Sequence, residues 1–169
     1  MPDASDSSAA EVRRRLDQYG IDTVLIGGLA ANHYRLTPRF TADIDLLAAS
    51  LTGLADVLRA EGAEVTAVAE REQDPYLLLV RRGELSVDIL LAETDYQRTA
   101  MERAVDGVIT AEDVIVHKLL AWRTRDRDDV ASILSTGRSL DESYIRRWAD
   151  AWEVSDRWAR ALAEFRSSS

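Results

Sequence analysis

Apolar and polar positions in this chain switch between two periods, and the switches mark out the elements. Residues 23–26 form a short, partly β-branched apolar run, which predicts a buried strand. Gly27 and Gly28 follow it, and 29–34 then reads as a short helix. A loop over 35–40 is set by Thr37-Pro38, because proline biases its predecessor away from helix. A second strand is predicted over 41–47. Its side chains alternate, so Asp43 and Asp45 share one face while Ile44 and Leu46 point to the core. Thr52 opens an amphipathic helix to Glu61, stopped by Gly62. Residues 64–68, 76–80 and 84–91 predict three more strands, the last two joined as a hairpin through Arg81-Arg82-Gly83.

The second half reads as mostly helical. A short helix over 96–104 and a brief strand over 107–109 lead to Thr110, which caps a helix over 111–124. A charged link over 123–129 and a helix over 128–134 follow, and 141–165 is helical with a break near Val154-Ser155. At the other end, Ser8 and Glu11 form a capping box for a helix to Tyr19, and residues 1–7 read as a disordered tail. The expected architecture is α+β (or α/β): a mixed sheet covered by helices, with a helical C-terminal part. The domain reading is a tail over 1–7, a core over 8–134, and a helical extension of the same domain over 135–169.

Composition narrows the class. A chain of 169 residues with 46% hydrophobic residues can bury a proper core without metal or disulfide staples. It has no cysteine, which excludes disulfides and thiolate metal sites. No apolar run is long enough to span a bilayer and the N-terminus lacks an apolar signal region, so a cytoplasmic protein without membrane attachment is expected. The net charge of −9 argues against broad nonspecific binding of nucleic acid, although local arginines could still grip one small RNA. Lys118 is the only lysine among 21 basic residues, a hint that a compact ammonium is wanted there.

Chemistry concentrates in a few positions. Asp43 and Asp45 repel each other on one strand face unless a cation lies between them. Asp88 interrupts an apolar strand, where an unpaired carboxylate is costly. Three such acids on neighbouring strands would make the oxygen-rich site that Mg²⁺ prefers. A strand–Gly-Gly–helix turn brings backbone N–H groups close to an anion, though such turns are more often merely tight. Arg35 and Arg39 flank the loop before the acids, either as partners of phosphate or as solvated charges. Lys118 runs its stem along an apolar helix face, and snorkelling to solvent is the usual fate of such a lysine. Asp126 and Asp129 either hold Lys118 or Arg123 or cap the next helix. His33 and His117 lack metal-ligand company and read as structural or solvent-facing. The aromatic series Tyr144, Trp148, Trp152, Trp158 and Phe165 reads as core.

The ordered set of Gly27-Gly28, Asp43-x-Asp45, Asp88 and the stretch TAEDVIVHKLLAWRTRDRDDV over 110–130 resembles the minimal nucleotidyltransferases of the DNA polymerase β-like superfamily. The nearest likeness is to AbiEii/MenT-type toxins and small stand-alone relatives, and it covers roughly residues 24–134. The resemblance implies a polymerase β-like fold and a Mg²⁺-dependent enzyme that moves NMP from an NTP to an acceptor hydroxyl. It implies a two-metal site held by Asp43, Asp45 and Asp88, with Asp88 also activating the acceptor. Gly27 and Gly28 would seat the β/γ-phosphates, Arg35 and Arg39 would neutralise the triphosphate, and Lys118 would contact phosphate. The implied acceptor is first an RNA 3′ end such as tRNA, in a toxin with a cognate antitoxin protein as partner. The alternatives are a protein hydroxyl, as in HEPN-paired systems, an antibiotic hydroxyl, or a module that binds NTP without turnover. Gly28 and Leu29 stand where relatives often carry a serine or threonine, and the chain is shorter than typical AbiEii or MenT toxins.

Overall fold

A computed structural model of the protein describes residues 4–70 and 74–168. They fall into two compact units: Met1–Leu29 with Phe40–Ile109, and Ala30–Arg39 with Thr110–Ser169. Helix α1 (Ala4–Gln18), strand β1 (Thr23–Ile26) and the short helix α2 (Gly27–Asn32) come first. Then follow β2 (Asp43–Ala48), α3 (Leu54–Ala60), β3 (Glu64–Ala69), β4 (Pro75–Arg82), β5 (Leu85–Leu91) and α4 (Asp95–Arg103). The chain ends with α5 (Ala111–Ala121), α6 (Thr124–Leu134), α7 (Glu142–Ala151) and α8 (Ser155–Ser168).

The first unit is built on one five-stranded mixed sheet of order β1-β2-β5-β4-β3. β2 and β5 run parallel at its centre, and the other pairings are antiparallel. The register puts Ile44 beside Val87, Leu46 beside Ile89, Leu78 beside Ile89 and Val80 beside Val87. These side chains share one face and all are buried, so that face is apolar. Helix α1 packs against β1 and α3 against β3, bringing Leu16, Leu54 and Leu58 into the buried set. Each fully buried leucine contributes about 1.5–3 kcal/mol relative to exposure. The opposite face carries Asp43, Asp45, Ser86 and Asp88, because these alternate with the apolar set. Five of the six expected strands form this sheet, and the mixed α+β class follows the expectation.

In the second unit α5 packs against α6 and α7, and α8 against α6 and α7. Its apolar interior includes Ile115, Leu119, Ile133, Ile145 and Trp158. Of the aromatic series, Tyr144 and Trp158 are buried while Trp152 is exposed. No helix among the described residues is long and apolar enough to cross a membrane.

Several boundaries differ from the pattern reading. α1 already runs from Ala4 rather than from the Ser8 capping box, so 4–7 are helical and only 1–3 of the expected tail lie outside the described residues. The helix of which 4–7 form the first turn is anchored further on by buried Ala9 and Leu16. α3 begins after Gly53, which has φ 70° and no side-chain cap, and Thr52 does not cap it. The expected strand over 107–109 is reduced to isolated bridges from Val108 to Leu25 and Val105. α5 stops at Ala121 because Trp122 turns left-handed at φ 49°. The expected charged link is the first turn of α6, because Asp126 accepts hydrogen bonds from the Arg123 backbone N–H and side chain and caps the helix.

Candidate active site

In the first unit, three acids converge on the polar face of the sheet. In the parallel β2–β5 register Asp45 lies directly opposite Asp88, and Asp43 opposite Ser86. Strands so paired lie about 5 Å apart, so the side chains stand on adjacent pleats of one face. Asp43 is exposed, Asp45 and Asp88 are half-buried. The Ser86 hydroxyl donates to Asp43 Oδ1 at 2.6 Å. Arg81, paired with Ser86 across the β4–β5 hairpin, donates Nη1 to Ser86 Oγ and reaches Asp88 Oδ1 at 3.5 Å. Arg81 and Ser86 carry no motif of their own. The signal for them is hairpin register: a two-residue turn at Gly83-Glu84 sets Arg82 against Leu85 and therefore Arg81 against Ser86.

Gly27 is fixed by one of these carboxylates, Asp45. Its φ is 68°, and a Cβ there would meet Asp45 Oδ2 at 2.0 Å. Only glycine allows β1 to turn into α2 this close to the Asp45 side chain. Gly28, buried one residue later, belongs to the first turn of α2.

The second unit gathers a different set of charges. Asp129 is completely buried. It accepts Arg39 Nε at 2.9 Å, Arg39 Nη2 at 3.0 Å, Lys118 Nζ at 2.8 Å and a donor from Arg35. Lys118 also donates to Asp126 Oδ1 at 3.1 Å, and Arg35 reaches Asp128 at 3.0 Å. Burial alone would raise the pKa of Asp129, but hydrogen bonds from Arg39 and Lys118 outweigh it and hold it below the ordinary value. Asp126 is lowered in the same way against its burial, by the Arg123 backbone and by Lys118. Its hydrogen bond to Asp129 raises Arg39. Asn32 closes the 33–38 loop by donating to Arg39 O at 2.7 Å and accepting from Arg39 N at 3.0 Å. Lys118 is therefore neither snorkelling nor solvated. Its two carboxylates are themselves a reason to keep a compact ammonium.

The histidines stand apart from both sets. His33 is exposed, its ring 6.4 Å from that of Tyr34. Burial pushes His117 down to about 4, Asp113 opposing and Lys118 assisting. Asp113 itself is fully buried and accepts the Tyr144 hydroxyl at 2.6 Å and the Thr110 hydroxyl at 2.7 Å. Among the described residues no three His, Cys, Asp or Glu side chains already form a metal cage.

No protein-family model matches the sequence, and no curated protein matches it. Solved structures do match. The solution structure of the antibiotic-resistance factor ANT(2″)-Ia aligns with a TM-score of 0.60 at 18% identity, covering 99% of this chain and 100% of that one. The crystal structure of an antigenic nucleotidyltransferase-like protein from Paracoccidioides brasiliensis aligns with a TM-score of 0.52 at 16% identity, covering 93% and 91%. The fold is the nucleotidyltransferase fold. It agrees with the architecture that the Gly-Gly and Asp-x-Asp resemblance implies, and at these identities the likeness is one of fold.

Proposed function

We propose that this protein is a nucleotidyltransferase that transfers NMP from an NTP to an acceptor hydroxyl and releases pyrophosphate. The observation that carries this reading is the register that sets Asp45 opposite Asp88 and places Asp43 on the same face. Three carboxylates so placed supply the hard oxygen donors of a Mg²⁺ site, whose remaining positions waters and substrate phosphates fill. The donor set fits such an ion, since Asp88 already draws the Arg81 guanidinium and Asp43 the Ser86 hydroxyl. Bound there, Mg²⁺, as one ion or the expected pair, would neutralise phosphate charge and ease deprotonation of the acceptor. Asp43 and Asp45 orient the triphosphate from β2, and Asp88 faces the acceptor from β5. Gly27 and Gly28 take the phosphate side, where a side chain on Gly27 would collide with Asp45.

For the acceptor, the resemblance to AbiEii/MenT-type toxins favours an RNA 3′ end, with tRNA first, in a cytoplasmic toxin held by an antitoxin. The net charge of −9 favours a second reading, a small cationic polyhydroxyl compound, which an acidic protein attracts and a polyanion is not. The test incubates the protein with Mg²⁺, each α-labelled NTP in turn, and either total tRNA or a polyamine-bearing aminoglycoside. Label on a tRNA 3′ end supports the first reading, and label on the small molecule the second. NTP binding without transfer to any acceptor would overturn the enzymatic reading.

A further inference from the structure

The metal reading leaves one group on the acidic face unexplained, the guanidinium of Arg81. Arg81 is the penultimate residue of β4, about half exposed. It makes no long-range pair with any other acid in the described residues, yet it reaches two members of the acidic face. Nη1 donates to Ser86 Oγ and approaches Asp88 Oδ1 at 3.5 Å. Ser86 passes the connection on, donating its own proton to Asp43 Oδ1 at 2.6 Å. One cation thus ties acids on both central strands, with a hydroxyl as the link.

We propose that Arg81 is a positioning residue that stands in for the divalent cation. It holds Asp88 directly, and Asp43 through Ser86, when the metal is away, and competes with the metal for them. This rests on the metal-site reading of Asp43, Asp45 and Asp88. Without a cation, carboxylates on adjacent pleats repel one another, and a neighbouring guanidinium offsets that repulsion. The same positive charge lies beside the place a divalent ion would enter, where like charge opposes its binding. A residue that merely built the fold would weaken metal binding when removed. Removing a competing cation would strengthen it.

The test is calorimetric titration of Mn²⁺ and Mg²⁺, without nucleotide, into wild type, Arg81→Gln, Arg81→Lys and Ser86→Ala, with melting temperatures measured with and without the ion. Arg81→Gln is expected to bind the ion about fivefold more tightly, the size of one exposed ion pair. It is also expected to melt lower than wild type without the ion and to regain more of the difference when the ion is added. Arg81→Lys keeps the charge and should stay near the wild-type affinity. Ser86→Ala releases Asp43 from that link and should also bind the ion more tightly than wild type, by less than Arg81→Gln. Unchanged or weaker binding by Arg81→Gln, with wild type binding normally, would overturn this proposal alone. No binding by wild type would overturn it together with the metal site.

Discussion

The protein holds two clusters of carboxylates and basic side chains, built on opposite terms. In the second unit, Asp126 and Asp129 are buried and surrounded by Lys118, Arg35, Arg39 and Arg123 at hydrogen-bonding distance. In the first, Asp43, Asp45 and Asp88 remain accessible on a strand face, met by the hydroxyl of Ser86 and the half-exposed Arg81. Burial without pairing is costly, so the buried cluster of Asp126 and Asp129 exists only because every charge finds a partner. Carboxylates left in reach of solvent instead keep lone pairs available to an incoming cation. Acids alone therefore do not mark a site. Their exposure and their partners set an accessible cluster apart from a buried, paired one.

The sharpest way to break this contrast is to remove the centre of the buried cluster. Asp129→Asn leaves Arg35, Arg39 and Lys118 without their shared charge, and should cost about 3–5 kcal/mol of stability, read by urea unfolding. A loss under about 1 kcal/mol would mean that the network is ornamental.

Acid should act next, and on the same unit. His117 is held near 4, below its ordinary 6.5, so the unfolded chain takes up its proton first as pH falls. Its stabilising contribution is complete above about 6.5 and is lost as pH falls toward 4. This amounts to about 2 kcal/mol between pH 7 and pH 5. Asp126 and Asp129, lowered in the folded state, lose their contribution in the same direction at lower pH. Unfolding free energies that are flat from pH 7 to 5, or that do not flatten in His117→Gln, would contradict this assignment.

The smallest effect belongs to the accessible cluster. Asp43→Asn removes one of several crowded negative charges from an exposed position, and should change stability by no more than about 0.5 kcal/mol.

How far the sequence carried these conclusions also differs between the clusters. Period-2 alternation in β2 was enough to put Asp43 and Asp45 on one face, because strand geometry is local. Strand pairing is not local, and only the sheet order brought Asp88 opposite Asp45 and Arg81 opposite Ser86. The buried cluster was legible as two options for Asp126 and Asp129, holding a cation or capping a helix. Asp126 does both, through Lys118 and the Arg123 backbone. The charged run ahead of it belongs to α6 because a capping carboxylate turns it into a first helical turn, which polarity alone does not reveal. Arg35 and Arg39 meet Asp129 about 90 residues later in the chain, a contact no motif announces.

If the accessible acids take a divalent cation with a nucleoside triphosphate, removing either β2 acid should all but abolish that binding. Calorimetry of Mg²⁺–ATP, and of the other NTPs in turn, with wild type, Asp43→Asn and Asp45→Asn tests it directly. The prediction is measurable binding of at least one Mg²⁺–NTP by wild type, with affinity reduced on the order of a hundredfold or more in both variants, while their melting temperatures stay close to wild type. Equal binding by all three proteins, or none by wild type, would contradict it.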